Sequence, residues 1–274
     1  MREELPTIDI TRRALSASAV GLTVTAMAMV GSLSMHSALA DETHAKDLMR
    51  AMSDYLAAQT AFSFDFDASL EVITTEDQRL AIASSGAATL ERPDKLHASR
   101  TGGFADVEMV FDGETLTLHR KDANLYAEVE APGTLDDLVN TLREKYGMPL
   151  PAADLLTSDV YGDLMPLVVD VKDLGSGVIG GIECDQLAFR TEDTDFQIWI
   201  AQGDQPYPCR YAITSKDIAG WPQYVIDVRD WKAGDAVAPA EFALQIPSDA
   251  EQLEPEDLAR LGHLPETFER SEAP

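Results

Sequence analysis

The sequence predicts a mainly β (α+β) fold: a single, strongly curved antiparallel sheet of about eleven strands with helices against one face. Three observations carry that expectation. Short runs with strand-like alternation recur from residue 62 to residue 246, separated by Gly, Pro and Asp breakers. Only residues 42–59 and 134–146 show sustained helical spacing, so strands and helices do not alternate as a parallel βαβ sheet requires. No internal repeat with a period of about 20–50 residues is visible, which argues against a repeat architecture.

The first element is the helix of residues 42–59, where Ala45, Leu48, Met49, Met52, Tyr55 and Leu56 fall on one face at spacings of three and four. The period then changes to two. Phe62, Phe64, Phe66, Ala68, Leu70 and Val72 alternate with Ser63, Asp65, Asp67, Ser69 and Glu71, a half-buried strand with one aromatic and aliphatic face and one face of carboxylates and hydroxyls. The runs Leu80–Leu90, Lys95–Arg100, Asp106–Phe111, Thr115–His119 and Asn124–Glu130 continue as an antiparallel meander. Asp112-Gly113 marks a tight hairpin within it, because Gly tolerates the positive φ such turns need.

A helix is expected next. Thr134 stands three residues before Asp137 in a capping-box-like start, and Leu135, Leu138, Val139, Leu142 and Tyr146 share a face before Gly147 and Pro149 end it. Its apolar face is either core beneath the sheet or a movable cover over a ligand cavity. Short helical turns over Pro151–Leu156 and Asp159–Met165 lead back to strands at Val168–Lys172, Val178–Arg190, Phe196–Ala201, Arg210–Lys216, Gln223–Trp231 and Glu241–Ile246. Residues 248–274 are acidic and Pro-punctuated, and read as a flexible tail.

Residues 1–40 read as a signal peptide. Arg2, Arg12 and Arg13 precede an uncharged stretch, Ala14–Leu39, that ends Ala38-Leu39-Ala40 before Asp41-Glu42, so cleavage is expected after Ala40, with the mature chain exported and not embedded in a membrane. A retained anchor helix is the alternative. Thr11-Arg12-Arg13 also fits a twin-arginine signal, leaving that route and ordinary Sec secretion both open.

The chain has 274 residues with 48 Asp+Glu against 21 Lys+Arg, a net charge of −27. Removing residues 1–40 takes away three acids and three bases, so the charge belongs to the mature part. Such an excess repels phosphate backbones, and nucleic-acid binding is excluded. At 45% hydrophobic residues a substantial core is nevertheless available. The two cysteines, Cys184 and Cys209, lie in the exported part, where a disulfide between them is permitted and expected; two buried thiols or one reactive thiol are the alternatives.

Several strings resemble a known family. Cys184-Asp185-Gln186-Leu187-Ala188-Phe189-Arg190, Gln197-Ile198-Trp199-Ile200 and Pro206-Tyr207-Pro208-Cys209-Arg210, with Phe111-Asp112-Gly113-Glu114-Thr115-Leu116 and Leu150-Pro151-Ala152-Ala153-Asp154-Leu155-Leu156, look like the predicted periplasmic family called domain of unknown function 2092. The resemblance spans roughly residues 42–246. That family is similar in architecture to the outer-membrane lipoprotein carriers LolA and LolB, which implies for residues 41–247 an open half-barrel whose concave face is covered by helices around an apolar cavity. A mature chain in the periplasm that binds a lipid, acyl chain or other hydrophobic ligand non-covalently is what the resemblance implies. Phe64, Phe66 and Leu70 would then form the cavity floor, and Leu138, Leu142 and Leu155 its helical cover. An envelope protein-interaction or scaffold domain without a small ligand is the alternative, with an envelope protein as partner.

Catalytic and metal chemistry find no support in spacing. Gly175-Ser176-Gly177-Val178-Ile179-Gly180 matches G-x-G-x-x-G, but it runs on into a strand through Gly181-Ile182-Glu183, so it reads as a glycine-rich hairpin or bulge. His44, His97, His119 and His263 share no ligand spacing with one another, and Glu192-Asp193-Thr194-Asp195 reads as a solvated turn. Asp65 and Asp67 point to water, where a carboxylate pair lacks the cleft that acid–base work needs. No catalytic residue, metal or cofactor is expected.

Overall fold

The computed structural model describes residues 36–148, 152–255, 257 and 258. Residues 1–35 lie outside this range, and with them most of the expected export segment; residues 36–40 begin the first helix. No described helix is long and apolar enough to cross a membrane.

Twelve strands form one open sheet: β1 (Ala61–Ile73), β2 (Arg79–Glu91), β3 (Lys95–Gly102), β4 (Ala105–Phe111), β5 (Thr115–Arg120), β6 (Leu125–Glu130), β7 (Asp170–Ile179), β8 (Ile182–Arg190), β9 (Thr194–Ala201), β10 (Pro208–Ser215), β11 (Gln223–Ala233) and β12 (Glu251–Gln252). Their order across the sheet is β12-β6-β5-β4-β3-β2-β1-β11-β10-β9-β8-β7. All neighbours are antiparallel except β12, which runs parallel to β6. The sheet is therefore two meanders joined where β1 pairs with β11, and its two edges stay apart, as in the half-barrel expected from sequence.

The helices are α1 (His36–Ala58), α2 (Leu135–Glu144) and α3 (Val160–Leu164), with a 3-10 turn at Ala153–Leu156 before α3. They cover two separate parts of the apolar face. One core gathers Ala45, Met49, Met52 and Leu56 of α1 with Leu187, Phe196, Ile198 and Tyr211 of the β8–β10 meander. The other gathers Leu135, Leu138 and Leu142 of α2 with Phe111, Leu116 and Val129 of the β4–β6 meander. Helix α2 starts where the sequence places it: the Thr134 hydroxyl accepts from the Asp137 N–H and the Asp137 carboxylate accepts from the Thr134 N–H, which satisfies two otherwise orphaned donors.

The β4–β5 hairpin is likewise local chemistry. The Asp112 carboxylate accepts from Glu114 N at 2.9 Å and Thr115 N at 2.8 Å, and Gly113 takes the left-handed φ of +96°. The glycine run at 175–181 forms the β7–β8 hairpin, with a register shift between Asp173 and Ser176 and positive φ at Gly180 and Gly181.

Two expectations change at the C-terminus. Residues 241–246 form no strand: β11 is already paired on both sides, so the segment runs extended with Phe242, Leu244 and Ile246 half-buried and the Lys95 ammonium 5.8 Å from the Phe242 ring. Its alternation records lying on a protein surface rather than pairing. The first part of the acidic tail is also attached. Asn124 Nδ2 donates to Asp249 O at 3.0 Å, β12 pairs with Leu125 and Tyr126, and Leu253 and Leu258 enter the second core.

Candidate functional site

The concave face is built from paired rows of side chains. Phe62 pairs with Leu90, Phe64 with Ala88, Phe66 with Gly86 and Leu70 with Ile82, while Leu70 faces Tyr224 on the other side. Residues directly opposite in an antiparallel pair share a face, so these rows all look inward. A register shift between Ser63 and Asp65 lets β1 follow the curve.

Aromatic rings dominate the floor at the junction of the two meanders. Phe66 tilts against Phe64 at 6.3 Å, Phe64 lies 6.0 Å from Trp231, Phe62 lies 4.8 Å from Trp231, and Trp231 stacks on Tyr207 at 5.0 Å. Trp231 Nε1 donates to the Tyr55 hydroxyl at 3.2 Å, which ties the ladder to α1. Phe64, Phe66 and Leu70 remain only half-buried, an unusual exposure for three large apolar groups in mid-strand.

Beneath the 3-10 turn lies an apolar cavity of ≈ 30 Å³, lined among others by Phe62, Phe64, Leu155, Leu156, Val228 and Trp231. It has room for about one or two waters. Few polar bonds hold the covering segment down: Arg92 Nη2 donates to Thr157 O at 3.0 Å, Tyr161 N to Ser53 Oγ at 3.0 Å, and Ser158 N to Asp136 Oδ1 at 2.8 Å. Burial pulls the Arg92 guanidinium below its ordinary pKa, and its buried Nε has no hydrogen-bond partner among the described residues. On the outer side of the same segment is a polar cleft of ≈ 620 Å³ lined by Asp136, Asp154, Asp159 and Asp163 with Arg143. Burial raises the Asp154 carboxyl, against the opposing charge of Arg143.

Of the residues that the sequence suggests for a cavity, Phe64 and Leu155 line it. Phe66 continues the floor beside Phe64, and Leu70 lies two rows further along. Leu138 and Leu142 do not reach it; each is 1% exposed inside the α2 core. Phe62, Leu156, Val228 and Trp231 are lining residues that spacing left unassigned, because no single-strand pattern tells which distant strand folds against β1.

The cysteines are a correction. Cys184 and Cys209 are two free, buried thiols, gathered around Ala201 at the end of β9. Cys184 Sγ turns to the Ile182 carbonyl at 3.4 Å, and no disulfide joins it to Cys209. Burial raises both thiols and holds the adjoining Tyr207 phenol up at about 12. Among the described residues no group of three or more His, Cys, Asp or Glu side chains is placed to hold a metal ion.

With this geometry in place, the match to known proteins has a structural meaning. A family model described as predicted periplasmic protein (DUF2092) covers residues 45–254. The chain belongs to this family. The DUF2092 match begins at Ala45, a fully buried residue of α1, and ends just past β12, so it takes in the whole sheet, α2, α3 and the part of α1 from Ala45 on. No curated protein matches the sequence. Solved structures similar in fold include the lipoprotein LppX of Mycobacterium tuberculosis, 13% identical with a TM-score of 0.47, covering 74% of this chain and 100% of that one. LprF of Mycobacterium bovis is 10% identical with a TM-score of 0.40, covering 76% and 98%. A putative outer membrane lipoprotein-sorting protein domain from Vibrio parahaemolyticus is 8% identical with a TM-score of 0.32, covering 73% and 97%.

Proposed function

We propose that this protein is exported to the periplasm through residues 1–40 and there binds a lipid, acyl chain or other hydrophobic ligand non-covalently on its concave face. The observation that supports this reading is the half-exposed floor of Phe64, Phe66 and Leu70, continuous with the Phe62–Trp231–Tyr207 ring stack. A soluble fold gains by covering such surface, at about 25 cal/mol per Å² of apolar area removed from water. A cavity of ≈ 30 Å³ does not hold an acyl chain, so binding requires the Ala152–Leu156 cover to lift and Leu155 and Leu156 to give way to the ligand.

Native mass spectrometry of gently purified protein and titration with a fluorescent lipid probe test the proposal. A co-purifying apolar ligand, or probe binding that Phe64→Ala weakens, supports it; ligand-free protein with no probe binding overturns it. A second reading, an envelope protein-interaction domain, draws on the β7 edge. Val169 is 72% exposed and Val178 65%, with Leu167 and Leu174 nearby. It expects co-purification of a protein partner that substitutions at Val169 and Val178 release.

A further inference from the structure

Arg100 stands on the concave face without a counter-charge. Phe66 pairs with Gly86, Gly86 pairs with Arg100, and Arg100 pairs with Val107, so all four look inward from one row. The Phe66 ring lies over Gly86, whose added Cβ would meet Phe66 Cζ at 2.5 Å. The same-face neighbours along β3 are Ala98 and Gly102, and across it Ala88, Ser84 and Met109 flank the row; none is charged. Among the described residues the Arg100 side chain makes no hydrogen bond or ion pair. That is anomalous in a chain with 48 acids and 21 bases. Arg79, Arg120, Arg190, Arg210 and Arg229 each hold a carboxylate.

The side chain has one polar companion. Burial raises the phenol of Tyr224, half-buried on β11 opposite Leu70, and the positive charge of Arg100 opposes that rise. A guanidinium and a hydroxyl thus stand on the same concave face from strands on opposite sides of β1, Arg100 in the Phe66–Gly86 row and Tyr224 in the Leu70–Ile82 row. From this row the aromatic floor runs four residues along β1, Phe66 to Phe62, or about 13 Å at strand rise, and ends at the cavity under the 3-10 turn.

We propose that the ligand is an anionic amphiphile, its carboxylate or phosphate head held by Arg100 and Tyr224 and its acyl chain laid along Phe66 and Phe64 toward Leu155. The proposal rests on the hydrophobic-ligand reading above and adds the head group. A half-desolvated guanidinium binds such anions through short, charge-assisted hydrogen bonds. The acidity of the rest of the surface is screened within about 10 Å at ordinary ionic strength, so it opposes capture weakly at this range.

The test is fluorescence titration of the full mature chain with a polyene fatty acid and with its methyl ester, in the wild type and in Arg100→Met, Arg100→Lys and Tyr224→Phe. The wild type should bind the free acid at least tenfold more tightly than the ester. Arg100→Met should abolish that preference without weakening the ester, Arg100→Lys should retain part of it, and Tyr224→Phe should cost about threefold on the acid alone. Thermal unfolding confirms that each variant is folded. Competition by a long-chain alkyl phosphate identifies phosphate as an accepted head, whereas competition by inorganic phosphate alone marks a free-anion site and overturns the proposal. Equal binding of acid and ester overturns the head-group assignment and leaves the cavity intact; binding of neither overturns both.

Discussion

Leu138→Ala separates a structural helix from a moving one. Leu138 is 1% exposed, belongs to the core of Leu135, Leu142, Phe111, Leu116 and Val129, and does not itself line the cavity. Truncating a buried leucine to alanine costs about 2–5 kcal/mol, and a site closed on all sides by large neighbours belongs in the middle, near 3 kcal/mol. For a domain of this size each kcal/mol lowers Tm by about 2–4 °C, so the loss should be about 6–12 °C. Thermal unfolding by circular dichroism reads it directly. Lipid-probe affinity, measured well below the transition, should stay within twofold of wild type. A Tm loss below about 1 °C, or a tenfold loss of affinity, would show that the α2 face leaves the sheet to admit ligand, and the division into core and cover drawn here would fail.

Gly86→Ala should destabilise more than its one methyl suggests, because the new Cβ would sit 2.0 Å from Ser99 O and 2.5 Å from the Phe66 ring; a loss of about 1–3 kcal/mol is expected, and Phe66→Leu in the same chain should restore only the ring's share, by chemical denaturation. Asp112 predicts a pH effect. The Thr115 N–H bond, with the Glu114 N–H, holds its carboxyl below the unfolded value of 3.8, so its contribution is present above that value and is lost as pH falls through the folded pKa. Stability should therefore drop more gently below about pH 4 in Asp112→Asn than in wild type. The thiols of Cys184 and Cys209, buried and raised, should resist alkylation at pH 8 in the native protein and react within minutes once unfolded; fast native labelling would contradict the packing around Ala201.

Much of this molecule is written locally. The alternation from Phe62 to Val72, the Asp112-Gly113 turn and the Thr134–Asp137 cap each specify structure through neighbours within a few residues, and each appears in the fold as read. The site is different in kind. Trp231 enters the ring stack because β11 returns to pair with β1 across more than half the chain, and Arg100 becomes notable only through what register places around it. Period-two patterning states that Arg100 shares a face with Leu96 and Ala98, but not that no acid is opposite. Residues 241–246 show the converse: alternation tells that one side of the segment is covered, not that a hydrogen-bonded strand covers it.

The short parallel strand β12 gives the sheet a direction of growth. An open sheet offers unpaired backbone at both ends, and here the last strand among the described residues, β12, occupies the β6 end. The β7 end is left outermost, its backbone interrupted at Asp173–Ser176 and its start marked by the charged pair Lys172 and Asp170, features that discourage a further strand. Cutting the chain at Pro247 would remove that occupant along with Leu253 and Leu258. The exposed rim would then be β6, an uninterrupted strand backed by the α2 core, and the shortened protein should recruit its own copies there.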